Sequence, residues 1–338
     1  MLNRPMFFER NRVWRVYSGG LLFADFFGDA AEDGSFPEEW VASATMAINK
    51  EKRGEKEGVS KLLGTDIYFD ELIAKYPREM LGGSQKMRIL VKILDSAVRL
   101  PAQAHPDKAF SRMHFNSEYG KTESWIILGT RPDAKIYFGF RDGIDREKLS
   151  SAIDESLTDK DAMERLMEYS EPSVGDVFLV PAKTVHAIGA GCLILEVQEP
   201  TDFTVQPEHW CDSYKLNNRE MYLDLDKETA LDCFNFEKSP DTRLVPVVDF
   251  ESNGVKKELI IKESDTECFI INRFTLSGGE CVIDAGDSYG VYIVTDGEGE
   301  IRGADYSKKI KKGDYFFMPA CLMKKFSVSG ELSLVECY

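Results

Sequence analysis

The sequence predicts a mainly β protein made of two similar β modules, with a short helical insert in the first module. Three observations support this fold class. Short strand-like runs separated by turn residues fill most of the chain, one turn-and-strand motif occurs twice, and helical periodicity is concentrated in one stretch. A chain of 338 residues has room for about two domains.

The strands are predicted from short apolar runs that are rich in β-branched and aromatic residues. Turn pairs such as Asp142-Gly143 and Asp296-Gly297 bound these runs, which is typical of strands joined by tight connections. The predicted strands are residues 87–94, 124–128, 135–140, 177–180, 192–198, 289–294 and 314–318.

Helical spacing occurs between two of these strands. Apolar side chains recur there three and four residues apart, which places them on one face of a helix. They are Leu149, Ala152, Ile153, Leu157, Met163, Leu166 and Met167. The spacing predicts a helical insert over about 145–170. A second short helix is predicted over 227–234, because the Asp226 carboxylate can accept hydrogen bonds from the first backbone N–H groups of a helix.

An internal repeat predicts the two modules. Residues 175–182 and 313–320 share the pattern G-D-x-F-x-x-P-A. In each copy the Gly-Asp turn starts a buried strand and the proline ends it, since proline cannot donate a hydrogen bond to a neighbouring strand. Five residues after the proline, the first copy has His186 and the second has Lys324. Metal chemistry is therefore predicted for the first module only.

The polar segment 237–242 is the predicted connection between the modules. The expected domains are residues 1–236, which include the helical insert, and residues 237–338.

The charge balance excludes several classes of partner. The 42 basic and 58 acidic residues give a net charge of −16, which repels nucleic acid and anionic lipid.

No apolar run approaches the roughly 18 residues that a membrane-spanning helix needs. The N-terminal stretch has no continuous apolar segment of the kind found in secretory signals, and seven cysteines at irregular spacing do not suggest disulfides or a thiolate metal site. The expected location is the cytoplasm.

Four polar residues are candidates for one metal site: Gln103, His105, Glu123 and His186. In an extended strand, residues 103 and 105 point to the same face. All four residues lie at predicted strand ends, where a barrel can bring them together. Two imidazoles, a carboxylate and an amide oxygen suit zinc with an open position for water or substrate.

A structural role is the alternative for each histidine taken singly. The two remaining histidines, His114 and His209, have no comparable partner spacing and are expected at the surface or behind the site.

Three motifs, in order and at matching spacing, make the first 210 residues similar to a known family. They are Gln103-Ala-His105-Pro-Asp-Lys108, Gly120-Lys121-Thr-Glu123-Ser-Trp125, and the segment from Gly175 through His186 to Gln198. Together they resemble the type I mannose-6-phosphate isomerases, zinc enzymes of the cupin superfamily. The second module resembles this family mainly in its repeated turn.

The resemblance implies two cupin-type jelly rolls, the second without metal. It implies that Gln103, His105, Glu123 and His186 bind Zn²⁺. It also implies an isomerase that interconverts mannose 6-phosphate and fructose 6-phosphate, so the expected partner is a small-molecule sugar phosphate.

Such a reaction moves a proton between carbons 1 and 2 of the open-chain sugar, so it needs a proton carrier and an electrophile. Lys92 lies in a predicted strand, where burial is expected to lower its pKa toward that of a base, and in the family a lysine stands near the sugar at this position. The alternative is a lysine that reaches water from an edge strand.

Lys121 is expected on the same face as Glu123, where it can orient phosphate or hydroxyl groups. Glu196 is a candidate acid or base if its face of the strand is the barrel interior.

The sequence departs from the family at position 206. Type I enzymes have an arginine ten residues after the glutamate that matches Glu196, whereas this chain has Gln206. A neutral amide lacks the permanent charge with which arginine clamps a phosphate or an oxyanion. Gln206 is therefore included among the catalytic positions, with reduced activity or an altered substrate as the expected consequence. Lys183 or Arg99 is expected to take over part of the missing role.

Two other functions remain open on the sequence. Two histidines and one carboxylate also match non-haem iron enzymes. A sugar-phosphate-binding cupin that lost catalysis together with its arginine is the other alternative.

Overall fold

A computed structural model describes residues 2–51, 53–237 and 243–338 of the chain. Among the described residues, β-strands are the predominant regular structure. The strands are β1 (Arg12–Val13), β2 (Glu38–Val41), β3 (Leu90–Asp95), β4 (Glu123–Thr130), β5 (Ile136–Phe140), β6 (Met167–Ser170), β7 (Val177–Val180), β8 (His186–Ile188), β9 (Cys192–Gln198), β10 (Trp210–Cys211), β11 (Tyr214–Lys215), β12 (Arg243–Leu244), β13 (Val247–Ser252), β14 (Val255–Ile261), β15 (Ile271–Val282), β16 (Gly290–Gly303), β17 (Tyr306–Lys311), β18 (Tyr315–Met318) and β19 (Ser327–Cys337).

Short helices lie between these strands. They are α1 (Phe23–Phe27), α2 (Phe69–Lys75), α3 (Pro77–Leu81), α4 (Lys108–Phe115), α5 (Arg146–Glu155), α6 (Asn218–Tyr222) and α7 (Lys227–Leu231), with 3-10 turns at Glu164–Leu166 and Ala320–Leu322. Within the described ranges, no helix combines the length and the apolar composition needed to span a membrane.

The predicted strands are confirmed, with differences at their ends. Strand β9 begins and ends where predicted, β3 begins three residues later, and β16 continues to Gly303. The mainly β fold class is likewise confirmed.

The helical insert is shorter than predicted. Helix α5 ends at Glu155, and after a 3-10 turn the chain continues as strand β6, so the prediction of helix up to about residue 170 was wrong. Met167 is buried and pairs with Phe140 of β5, and this tertiary pairing outweighs the local helical spacing. The helix after Asp226 is confirmed, since the Asp226 carboxylate accepts a hydrogen bond from Thr229 N–H, but it ends at Leu231.

The first module is built on an antiparallel sheet in the order β1-β2-β3-β9-β4-β7-β12. One face of this sheet packs against the second module, where Val91 and Ile93 of β3 share a core cluster with Val291 and Val335. The opposite face looks into the first barrel, which the sheet β6-β5-β8 closes. Because side chains alternate along a strand, Lys92 points into this barrel.

The second module repeats the strand arrangement of the first. Strand β9 lies between β3 and β4, and β19 lies between β15 and β16. In register, Glu196 of β9 is opposite Lys92 and Trp125. At the equivalent position, Glu336 of β19 is opposite Asn272 and Tyr292.

The repeated turns make the same backbone contacts. Gly175 N–H donates to the Ile127 carbonyl, and Gly313 N–H donates to the Val294 carbonyl, both at 2.9 Å. Both glycines have positive φ, of 94° and 85°, which an L side chain rarely adopts. The repeat that the sequence shows therefore corresponds to two modules with a common register.

The connection between the modules falls partly outside the described residues, which omit 238–242. Strand β12, just after this gap, pairs with β7 of the first sheet, and the second sheet begins with β13. Near the N-terminus, Met6 pairs with Phe317 of β18. The domain boundary between residues 236 and 237 stays a prediction.

Candidate metal centre and cavity

Three of the four predicted metal ligands converge in the first barrel. His105, Glu123 and His186 are buried, and one potential ligand atom from each lies within 4.8 Å of the others. Glu123 is the first residue of β4 and His186 the first of β8. His105 lies in the segment whose neighbours Gln103 and Ala104 form isolated bridges to His186 and Val205. Strand ends from separate parts of the chain therefore build the group.

The backbone orients both imidazoles. Nδ1 of His105 lies 2.9 Å from the Phe203 carbonyl oxygen, and Nδ1 of His186 lies 2.9 Å from the Thr184 carbonyl oxygen. Each Nδ1–H can donate to its carbonyl, which places the Nε2 lone pair on the side of Glu123, where a metal could bind. The two Nε2 atoms lie 3.0 Å and 3.3 Å from the two carboxylate oxygens of Glu123.

The donor set fits a metal ion. Nε2 of His186 is buried and has no hydrogen-bond partner among the described residues. An unsatisfied buried nitrogen is costly unless something binds it. Burial, with a smaller contribution from Lys121, lowers the pKa of His105 to about 3, so this imidazole is neutral. Burial alone would raise the pKa of Glu123, but Lys121 and the histidines hold it well below its usual range. Neutral imidazoles and an ionised carboxylate are the protonation states that metal binding requires.

Gln103, the fourth predicted ligand, also lies at this cavity. Its side chain lines the same cavity as His105 and Glu123 and is 8% exposed. His114 and His209 lie outside the group. The His114 ring packs against Phe110 in a tilted arrangement, with ring centroids 4.4 Å apart, and His209 is half-buried.

Lys121 lies beside the candidate ligands, as its spacing from Glu123 predicts. Its Nζ is 3.0 Å from Glu123 Oε2 and 2.8 Å from His105 Nε2. The side chain is buried within the cavity wall. This lysine therefore supplies a positive charge at the deep end of the cavity.

Lys92 and Glu196 form a buried ion pair. Their charged groups lie 2.9 Å apart, and each residue is 3% exposed. The expectation that burial lowers the pKa of Lys92 was wrong. Burial does act in that direction, but Glu196 and then Glu38 outweigh it and raise the pKa above its ordinary value. Lys92 is an ammonium ion on a central strand, neither a neutral base nor a lysine that reaches water from an edge.

Glu196 faces the barrel interior, which is the arrangement that makes it a candidate acid or base. Its Oε1 accepts a hydrogen bond from Trp125 Nε1 at 3.3 Å. Burial raises the pKa of Glu196, and the nearby Lys92 opposes that rise without cancelling it. The same indole lies 3.1 Å from Glu123 Oε1, so Trp125 connects this carboxylate to the metal group.

Sequence reasoning missed three charged residues that continue this network. Glu38 accepts hydrogen bonds from Tyr17 and Trp40 and lies 3.0 Å from Arg15. Arg15 in turn binds Asp202 at 3.0 Å. Nothing in the local sequence distinguishes Glu38 from the acidic residues at the surface, because its partners come from distant segments.

Gln206 lines the cavity, but its backbone N–H and its side-chain amide donate hydrogen bonds to the backbone of helix α6. Its N–H donates to the Met221 carbonyl at 2.9 Å, and its side-chain Nε2 donates to the Glu220 carbonyl at 3.0 Å. The structure does not support the two predicted substitutes for the missing arginine. Arg99 is bound to the buried Glu208, and neither Arg99 nor Lys183 is among the residues that line the cavity.

The cavity leads from the metal group to the surface. Its empty volume, including the open mouth, is about 940 Å³. The deep end is lined by Lys92, Gln103, His105, Glu123 and Glu196, which are all buried. The mouth is lined by exposed or half-buried residues, which are Trp14, Ile48, Asn49, Lys50, Arg219, Glu220 and Leu223.

Comparisons with known proteins find mannose-6-phosphate isomerases among the relatives of this chain. A family model described as the cupin domain of mannose-6-phosphate isomerase matches residues 261–338. Mannose-6-phosphate isomerase ManA from Bacillus subtilis is 30% identical over 329 residues, covering 94% of each chain. The mannose-6-phosphate isomerase from Streptococcus mutans is 27% identical, covering 99% of this chain and 98% of that protein.

Solved structures of similar fold cover nearly the whole chain. The crystal structure of mannose 6-phosphate isomerase from Bacillus subtilis superposes with a TM-score of 0.80 at 23% identity, covering 99% of both chains. A mutant of phosphomannose isomerase from Salmonella typhimurium gives a TM-score of 0.75 at 16% identity, also covering 99% of both chains. These similarities establish the fold.

Proposed function

The chain belongs to the mannose-6-phosphate isomerase family, and on that premise we propose that it interconverts mannose 6-phosphate and fructose 6-phosphate with a bound zinc ion. It is an isomerase. The single observation that carries the finer proposal is the buried group His105, Glu123 and His186 at the closed end of a cavity. Its two imidazole groups, one of which has a buried nitrogen without a hydrogen-bond partner among the described residues (His186 Nε2), and its carboxylate are ligands that zinc prefers.

In this proposal, His105, Glu123 and His186 hold the zinc together with Gln103. When bound, the zinc supplies a Lewis acid that polarises an oxygen of the sugar. The carboxamide oxygen of Gln103 suits the fourth ligand position, because the residue lies in the same segment as His105 and lines the same cavity.

Glu196 is the proposed carrier of the proton between carbons 1 and 2. It lines the cavity, and burial raises its pKa, so its ionised form is a stronger base than a surface carboxylate. Lys92 holds this carboxylate at 2.9 Å and stays positively charged, so its role is to stabilise negative charge that develops on the sugar. Lys121 is proposed to orient a sugar hydroxyl near the metal group.

The test is an isomerisation assay of the purified full chain with added zinc, followed by NMR of the sugar. A panel of phosphorylated and free hexoses is compared, and the metal content is measured. We expect conversion of mannose 6-phosphate and about one zinc per chain. Binding of the sugar phosphate without turnover would instead select the binding-protein alternative, and oxygen uptake with bound iron would select the iron enzyme.

A histidine pair provides a matched control. The His105→Ala, His186→Ala variant is expected to lose both zinc and isomerisation. The His114→Ala, His209→Ala variant removes the same number of imidazoles outside the group and is expected to keep both. Equal zinc content in the two variants would contradict the proposed ligands.

A further inference from the structure

The buried and half-buried cations that line the cavity already have carboxylate partners. Each pairs with an acidic partner at about hydrogen-bond distance: Arg15 with Asp202 at 3.0 Å, Lys92 with Glu196 at 2.9 Å, and Lys121 with Glu123 at 3.0 Å. A sugar phosphate brings a further negative group at the opposite end from the reacting carbons. This phosphate therefore needs a cation away from the metal group, toward the mouth.

Helix α6 forms one wall of this mouth, and Gln206 holds the helix in place. Both the backbone N–H and the side-chain amide of Gln206 donate to carbonyls of α6, at 2.9 Å and 3.0 Å. Asn217 caps the first turn of the helix, and the Glu220 carboxylate bonds back to Asn217 and to the Tyr214 hydroxyl. The Glu220 carboxylate therefore accepts hydrogen bonds within the helix cap.

Arg219 is the cation that this helix presents to the cavity. It lines the mouth, its side chain is 62% exposed, and its ion pair with Asp224 at 3.3 Å is itself exposed. An exposed pair of this kind contributes little stability, so the guanidinium can exchange Asp224 for a phosphate. Lys50 is a second cation at the mouth, but it lies in the long connection between β2 and α2 rather than on an anchored helix.

Taking the proposed isomerase function as given, we propose that Arg219 binds the phosphate of the substrate at the cavity mouth. Gln206 is then a positioning residue, because it anchors the helix that carries Arg219. In this proposal Arg219 supplies the positive charge that an arginine at position 206 would otherwise supply. A guanidinium can bind two phosphate oxygens at once, which favours Arg219 over Lys50 for this role.

The test compares Arg219→Ala with two control variants, Lys50→Ala and Arg165→Ala. Arg165 is a similarly exposed arginine that pairs with acidic residues away from the cavity. For Arg219→Ala we expect KM for mannose 6-phosphate to rise about 10- to 100-fold, as for the loss of one charge-assisted contact, with kcat changed less than about threefold. Lys50→Ala is expected to change KM less, and Arg165→Ala not at all. A fall in kcat at constant KM, or a larger effect of Lys50→Ala, overturns the proposal.

Binding of mannitol 6-phosphate separates this proposal from the isomerase function. This sugar phosphate has no carbonyl to isomerise, so calorimetry measures binding without turnover. Arg219→Ala should weaken its binding by the same factor as the rise in KM, and adding Gln206→Arg to that variant should restore part of the affinity. An unchanged affinity overturns the role of Arg219 even if the chain isomerises mannose 6-phosphate. Absence of turnover in the unmodified chain overturns the isomerase function instead.

Discussion

The buried pair of Lys92 and Glu196 gives the most informative prediction, because its charges matter both to the fold and to the proposed reaction. We consider Lys92→Met, Glu196→Leu and the double variant. Each single change leaves one charge in the barrel without its closest partner. The double change replaces both charges by apolar side chains of similar size in a place that is about 3% exposed.

The expected magnitudes follow from the burial and the remaining contacts. Removing one partner of a buried ion pair costs about 3–5 kcal/mol of unfolding free energy. The lower end applies to Glu196→Leu, since Lys92 keeps Glu38 at 3.9 Å and the face of Trp40 at 5.2 Å. Trp125 keeps a partner because its indole also contacts Glu123. The double variant is expected within about 1 kcal/mol of the unmodified chain, because no uncompensated buried charge remains.

The assay is denaturant unfolding followed by tryptophan fluorescence. All four tryptophans, Trp14, Trp40, Trp125 and Trp210, lie within residues 1–236, so the signal reports on the first module. The double variant should fold normally and have no isomerase activity, which separates the catalytic role of the pair from its structural effect.

Two results would refute this reasoning. If the double variant is as unstable as the two single costs combined, the charges do not act as a pair. If Glu196→Leu costs less than about 1 kcal/mol, Lys92 is not held as a buried charge. Glu336 supplies the matched control, because it occupies the register position of Glu196 in the second module but bonds to Asn272 and Tyr292 instead of a cation. Glu336→Gln should leave isomerase activity unchanged.

Two further predictions concern acid stability and zinc affinity. Burial alone would raise the pKa of Glu38, but Arg15 and Lys92 lower it from 4.5 to about 2. A carboxyl group with a lowered folded-state pKa stabilises the fold above about pH 4.5, and this stability, about 3 kcal/mol, is lost as the pH falls toward 2. Unfolding measured between pH 5 and 2 should therefore depend less on pH in Glu38→Gln, and an unchanged slope would contradict the assignment. Separately, Glu208 accepts the Ala102 N–H at 2.7 Å and binds Arg99, which fixes the segment that carries Gln103 and His105. Glu208→Ala should weaken zinc binding about 10- to 100-fold in a chelator competition, whereas Glu118→Ala, which removes an exposed partner of Arg112, should not.

The sequence alone was sufficient where the governing interactions are local. Strand β9 was predicted to the residue, because its apolar run and flanking glycine are visible in the chain itself. The repeated Gly-Asp turn predicted the duplication, since its glycines need a positive φ and its prolines must end a strand. The spacing of Gln103 and His105, and of Lys121 and Glu123, predicted side chains on common faces because that depends only on the alternation of a strand.

Only the tertiary structure decided which charges meet. The pKa of Lys92 is raised rather than lowered because Glu196 lies opposite it across β3 and β9, and Glu38 approaches from β2. Arg99, a predicted substitute at the cavity, is instead held by Glu208. Arg219 lines the mouth on a helix to which Gln206 donates two hydrogen bonds. Local sequence determines the direction in which a side chain points from its strand. Strand register and packing bring residues far apart in the chain together, and these determine its charge and its partners.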